Sequence, residues 1–329
     1  MKQIGKLLLG MFLHAIVGMQ AVPVWGRELV AAEVYPPGHI LVFSEEVMAL
    51  RLSELTKGEL DIQLKHSGQV GNENDYWNNI RNGSLDIARI NLGVLGNDVP
   101  SAKLLSLPYL FRSRDHMWRV LAGDFSKRIS LEVESAGAVV LAYYDSGTRS
   151  FYTTKKPIRF LSDFQGQRIR VQNSTVYKDL ITSLGGTPVE MDLDKVVDAF
   201  KKGEIDGAEN NLPDFMSSEH YKYARYLSLD EHSSVPEVLV VSKKTWNSLT
   251  PEQRRAMKTA AAESSENMKL LWTESESQAL AKAKKEGVVM LEKDKIGMNG
   301  IEASAVKLYS NYVTNAKDLE AVLSIMRTR

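Results

Sequence analysis

The sequence predicts an α/β fold organised in two lobes. Short β-branched runs alternate with segments of helical period, one nine-residue pattern occurs twice, and a helix near the C-terminus is too long for one small domain. A chain of 329 residues has room for two cores of ordinary domain size.

Residues 1–26 stand apart. Lys2 and Lys6 precede an apolar run from Leu7 to Met19, followed by Pro23 and small residues near a cut after Gly26. This is the layout of a secretory signal peptide, and the run is shorter than the roughly 20 residues that span a bilayer. An exported, soluble protein is expected, periplasmic where the cell has two membranes; the competing reading is an uncleaved anchor. The 41 basic and 41 acidic residues balance, so no charge excess points to nucleic acid or an anionic membrane. The absence of cysteine excludes disulfides, a thiolate nucleophile and Cys-ligated metal centres.

Strands are expected over 29–34, 60–64, 85–91, 139–144, 168–172, 205–210 and 238–241. A helix over 39–56 carries Leu41, Val42, Glu45, Val47, Met48 and Leu52 on an imperfect apolar stripe. A second, over 75–82, stops at Gly83, and a third, over 176–184, is capped by Ser174-Thr175.

The repeat gives the two lobes. Gly83-Ser-Leu-Asp-Ile-Ala-Arg-Ile-Asn91 and Gly203-Glu-Ile-Asp-Gly-Ala-Glu-Asn-Asn211 share the pattern Gly-x-(Leu/Ile)-Asp-x-Ala-x-x-Asn. In each copy an apolar helical stripe ends at the glycine and a short strand then ends in polar residues. Ligands of open α/β sheets bind at strand carboxyl ends, so Arg89, Asn91, Glu209, Asn210 and Asn211 are expected to face a common crevice.

The long helix is expected over 251–286. Thr250-Pro251-Glu252-Gln253 supplies an N-cap, a proline at the first helical position and a capping-box glutamine, and Gly287 ends it. Thirty-six residues at about 1.5 Å each make about 54 Å, which has to serve both lobes or break near 273–276. Met257, Ala261, Ser264, Met268, Leu271 and Trp272 form one face in its first half; Ala279, Leu280 and Ala283 continue it.

Signatures of common hydrolases, metalloproteases and nucleotide-binding loops are missing, and the six histidines show no metal-ligand spacing. Two arginines carry more information. Arg170 lies in Arg168-Ile-Arg-Val-Gln-Asn173 at a strand end, and Arg149 in a turn after the 139–144 strand. A buried guanidinium needs an anionic partner. Internal carboxylates such as Asp145 or Glu209 would serve for either one alone; two beside an Asn-rich strand end favour a bound carboxylate held bidentately. Asn173, Asn210 and Asn211 offer donors and acceptors suited to hydroxyl groups, or else form turns. Glu73 and His39, in loops after expected strands, accept hydroxyl hydrogen bonds or cap helices. The competing enzyme reading takes Glu73 and Glu209 as the carboxylate pair of a secreted carbohydrate-active hydrolase or lyase.

Thr148-Arg-Ser-Phe-Tyr152, Arg168-Ile-Arg-Val-Gln-Asn173, Ile205-Asp-Gly-Ala-Glu-Asn-Asn211 and Glu237-Val-Leu-Val-Val-Ser-Lys243 resemble, in order, the solute receptors of tripartite ATP-independent periplasmic (TRAP) transporters, the dicarboxylate-binding-protein type. The resemblance implies a two-lobed periplasmic binding protein fold with a long helix spanning both lobes. It implies a monomer without cofactor, metal or catalysis that closes on an organic acid and delivers it to a membrane permease; a receptor serving a sensor kinase is the neighbouring reading. It divides the chain into 27–146 and 235–272 for the first lobe, and 147–234 and 273–329 for the second. By motif, Arg170 resembles the arginine that forms the main salt bridge to the ligand carboxylate, Arg149 the second arginine, Asn210 the asparagine after the Asp-Gly strand, and Glu73 the loop glutamate directed at ligand hydroxyls. Pro36-Pro-Gly-His39, Ala88-Arg-Ile-Asn91, Arg170-Val-Gln-Asn173 and Glu209-Asn-Asn211 look most like receptors for glucuronate or galacturonate. The sequence Asn211-Leu-Pro213 departs from the pattern of many relatives, which keeps an aldonate or a dicarboxylate as alternative ligands.

Overall fold

The computed structural model describes residues 26–329, so the expected signal peptide lies outside the described residues except for Gly26. Eleven strands are described: β1 Arg27–Ala32, β2 Leu60–Lys65, β3 Ile87–Asn91, β4 Ala138–Tyr144, β5 Arg149–Thr153, β6 Arg168–Val171, β7 Thr187–Glu190, β8 Gly207–Asn211, β9 Tyr226–Ser233, β10 Glu237–Ser242 and β11 Val289–Leu291. They form two sheets, ordered β2-β1-β3-β10-β4 and β11-β9-β5-β8-β6-β7. Each sheet is parallel except for one inserted strand: β10 runs antiparallel to β3 and β4, and β5 runs antiparallel to β8 and β9. The chain passes between the sheets in two short links, at 145–148 and at 234–236.

The repeat in sequence is a repeat in structure. Helix Glu73–Asn82 stops at Gly83 (φ 74°, ψ 27°) before β3, and helix Val196–Lys202 stops at Gly203 (φ 67°, ψ 27°) before β8. Both glycines take the left-handed conformation in which a helix releases its chain without Cβ strain. Each strand then ends in an asparagine that caps a short helix. Asn91 Oδ1 accepts from the Gly93 amide at 2.8 Å, and Asn211 Oδ1 from the Asp214 amide at 2.7 Å.

Helix Pro251–Lys285 is unbroken and begins in the expected Thr250–Gln253 capping box. Its 35 residues make about 52 Å. Met257, Ala260, Ala261, Met268 and Trp272 pack with Leu41, Met48 and Leu52 on the first sheet, and Ala279 and Ala283 with Phe200, Phe215 and Tyr221 on the second. The remaining faces of both sheets share a further core with the C-terminal residues Ile301, Val322 and Ile325. The final helix, Ala316–Arg327, departs from the expected assignment of 273–329 to the second lobe. It lies on the first, where His116 Nε2 meets the Ile325 carbonyl at 2.8 Å and Arg128 pairs with Asp318 at 3.2 Å.

Candidate ligand-binding site

The carboxyl ends of β3, β6 and β8 and the first residues of β5 and β10 face one another across a cavity of about 640 Å3. Gln172 Nε2 donates to Asn91 Oδ1 at 2.8 Å and Asn97 Nδ2 to the Asn173 carbonyl at 3.1 Å, so the lobes touch beside the cavity. Of the residues singled out in the sequence, Glu73, Arg89, Asn91, Arg149, Arg170, Asn173 and Asn210 line it. His39, Glu209 and Asn211, also expected at the crevice, are not among the lining residues.

The first-lobe wall is built on Arg89, which is buried and lies 5.1 Å from the centre of the Tyr35 ring. Its Nε donates to Glu33 at 2.7 Å, and its Nη1 to Glu73 Oε1 and Glu237 Oε2, both at 2.6 Å. Glu237 also accepts from Asn91 Nδ2 at 2.8 Å, and Glu73 from the Asn91 amide at 3.0 Å. Burial pushes the Glu73 carboxyl up to about 7, against the pull of Arg89. Arg89 was expected to face a ligand; three carboxylates occupy it instead.

The second-lobe wall holds the two expected arginines in different states. Arg149, which opens β5 rather than lying in a turn, donates through Nη2 to Glu209 Oε1 at 2.9 Å and through Nε to the other oxygen. Its guanidinium lies 5.5 Å from the centre of the Tyr177 ring. Burial alone would raise the Glu209 carboxyl, but Arg149, with His232 3.5 Å away, brings it down to about 2. His232 in turn stands 3.0 Å from Asp230; burial works to lower its pKa, and Asp230 and Glu209 together lift it to about 9. The expectation of two stranded guanidiniums is therefore corrected for Arg149: it has an internal acid.

Arg170 differs from Arg149. It is 3% exposed, its Nε and Nη2 donate to the Met191 carbonyl at 3.0 and 2.8 Å, and no carboxylate lies within ion-pair distance of it among the described residues. Burial lowers its pKa below the ordinary arginine value. Asn210 Oδ1 accepts from the Asn211 amide at 2.9 Å, while its Nδ2 makes no hydrogen bond among the described residues. A guanidinium and an amide donor are thus open to the cavity side by side on adjacent strands, a geometry suited to a carboxylate.

Two expected contacts belong to the scaffold. His39 Nδ1 accepts from the Leu41 amide, capping helix Ile40–Leu55, and its Nε2 lies 2.9 Å from Asp214, in the second lobe. The ring stacks on Tyr35 at 3.9 Å between centroids. Both ring nitrogens are occupied. Asn211 is occupied by Asp214, accepting its amide hydrogen and donating to its carboxylate at 2.9 Å. The sequence reading missed Tyr35, Gln172, His220 and Glu237 as wall residues. Glu237 had a legible signal, a lone acid opening the apolar run Val238–Val241, which has to meet a cation when buried. Burial brings His220 down to about 3, so its ring is neutral; Nδ1 meets Tyr152 Oη at 2.7 Å.

A cavity walled half by each lobe is complete only when the lobes are together, so a molecule held there holds the protein closed. That is the working principle of two-lobed solute receptors. Over residues 31–314 the sequence matches the family of bacterial extracellular solute-binding proteins, family 7 (DctP), and the chain belongs to that family, the solute receptors of TRAP transporters. A solute-binding protein of Chromohalobacter salexigens is 33% identical over 318 residues, covering 96% of this chain and 93% of its own. A TRAP periplasmic solute-binding protein of Xanthobacter autotrophicus Py2, solved with bound β-D-galacturonate, superimposes with a TM-score of 0.88 at 36% identity. One from Roseobacter denitrificans, solved with β-D-glucuronate, gives 0.89 at 34%. Both alignments cover 92% of this chain and 100% of the solved one. Proteins of the family are periplasmic. Among the described residues no helix is long and apolar enough to cross a membrane.

Proposed function

We propose that this receptor captures a hexuronate, D-glucuronate or D-galacturonate, in the periplasm and hands it as a monomer to the permease of its transporter. The observation that carries the reading is Arg170, a buried guanidinium whose one partner among the described residues is a backbone carbonyl. A ligand carboxylate would supply its missing counter-charge, with Asn210 donating beside it and Glu73 accepting from ring hydroxyls. The uronates bound by the similar solved proteins support the choice of acid.

Two charge-assisted bonds at roughly 1.5–3 kcal/mol each and several hydroxyl contacts at about 1 kcal/mol are together on the order of the 8 kcal/mol of micromolar binding, before association costs are set against them. No bond in the ligand has to change. The hydrolase or lyase reading loses its second carboxylate: Glu209 lies outside the cavity lining and is held ionised by Arg149. Calorimetry of the mature protein with both uronates, followed by recovery of the ligand, is the test. Micromolar binding with the ligand returned intact is the expected result; turnover, or no binding of either uronate, overturns the proposal.

A further inference from the structure

Charge is divided unevenly between the two walls of the cavity, with one cation left for an incoming carboxylate on the second lobe and a surplus of acids on the first. On the second-lobe side Arg149 is answered by Glu209, and Arg170 lacks an acid among the described residues. On the first-lobe side the imbalance is reversed, with Glu33, Glu73 and Glu237 sharing the single guanidinium of Arg89. Lys195, at the exposed rim, is already paired with Asp194.

The hydrogen-bonding capacity of the first-lobe wall has the same sense. Arg89 is occupied by carboxylates, and Asn91 Nδ2 by Glu237. On Glu73 what remains open is an acceptor: its Oε2 makes no hydrogen bond among the described residues, while Oε1 takes both Arg89 and the Asn91 amide; the Asn74 side chain beside it also lines the cavity. A hydroxyl arriving here can donate. A carboxylate can only accept, and above about pH 7, where Glu73 is ionised, it would surrender its water facing two acids with Arg89 and Asn91 Nδ2 already taken.

We propose that Glu73 and Glu237 form a barrier to a second carboxylate, so that the receptor takes polyhydroxy monocarboxylates and rejects the matching sugar diacids. This rests on the sugar-acid reading above and adds which end group the first lobe refuses. It removes the dicarboxylate alternative and keeps the aldonate.

D-Galactonate and galactarate share a six-carbon chain and differ only in whether C6 is an alcohol or a carboxylate, so they isolate the effect of charge from that of shape. The experiment is calorimetry at pH 8, where Glu73 is ionised, of the full mature protein with D-galacturonate, D-galactonate and galactarate. The expected result is galactarate binding at least tenfold more weakly than the tighter of the two monoacids. Glu73→Gln, which puts a donor where the open acceptor stands, is expected to narrow that ratio at least threefold; Glu237→Gln carries the same expectation if the first variant does not fold. A ratio below tenfold in the wild-type protein, or a ratio left unchanged in the folded variant, overturns the inference while the sugar-acid reading stands. Failure of all three acids to bind overturns that reading and this inference with it.

Discussion

Glu237 and Arg149 occupy the same register position in the two sheets and carry opposite charges. Glu237 on β10 lies opposite Asn91 of β3; Arg149 on β5 lies opposite Asn211 of β8. Two residues back along the parallel strand stand Arg89 and Glu209, at equivalent places in the nine-residue repeat. In the first lobe the inserted antiparallel strand brings the acid and the parallel strand the base; in the second the roles are exchanged. The repeat therefore gives the cavity two walls of one design and opposite polarity, and Arg170, outside the repeat, makes the second wall cationic.

Arg170→Ala is expected to weaken uronate binding by about 100-fold or more, since it removes two charge-assisted bonds of at least about 1.5 kcal/mol each and each 1.4 kcal/mol is tenfold. The ligand-free protein is expected to lose less than about 4 °C in Tm, because the residue removed is a buried charge without an acid. Calorimetry and thermal melts check both. Arg170→Lys is expected to fall between, keeping charge but not the planar fork.

The Arg149–Glu209–His232 network predicts a stability maximum with two flanks. Glu209 is held below its ordinary 4.5, at about 2, so its contribution is complete above about pH 4.5 and is lost as pH falls toward 2. His232 is held above its ordinary 6.5, at about 9, so its contribution is complete below about pH 6.5 and is lost as pH rises through 9. Each is worth on the order of 3 kcal/mol. Urea unfolding at pH 3, 6 and 9.5 measures the two flanks, and His232→Gln is expected to flatten the alkaline one while lowering stability at pH 6.

His39→Ala is expected to lower folding stability by about 1–2 kcal/mol through loss of the helix cap, and further through the Asp214 carboxylate left without its ring partner. Uronate affinity is expected to change far less than in Arg170→Ala, because His39 does not reach the cavity. A calorimetric loss as large as that of Arg170→Ala would place His39 on the ligand instead.

The parts of this arrangement that were legible in sequence are those written locally. The glycine stops, the asparagine ends of β3 and β8, the capping box at Thr250 and the guanidinium closing a strand at Arg170 each depend on residues within one turn or one strand. Four strands were not legible. β7 is a four-residue edge strand containing Pro188, β11 has three residues, and β9 carries buried Asp230 and His232 where apolar residues would mark a strand. β5 opens on Arg149, which reads as polar chain until its partner is known. That partner, Glu209, is 60 residues away, and Glu237 is 148 from Arg89. Local pattern cannot decide between a ligand and a distant side chain for a buried charge, which is why Arg149, Arg89 and His39 were expected at a ligand and found on internal partners.

Gly147→Ala tests the first link between the lobes. Gly147 has φ +65°, and a Cβ there would stand 2.8 Å from Glu276 Oε1 and 2.9 Å from Trp272 Nε1 on the long helix. Strained backbone and steric contact together are expected to cost about 2 kcal/mol of stability. Chemical denaturation measures it, and a neutral substitution would mean that helix and link are not in contact in solution.

Helix Pro251–Lys285 sets the mechanics of release. A rod embedded at one end in each core resists being lengthened, so separating the lobes has to flex or tilt it rather than stretch it. A membrane partner gripping both lobes would need only torque to let its cargo out.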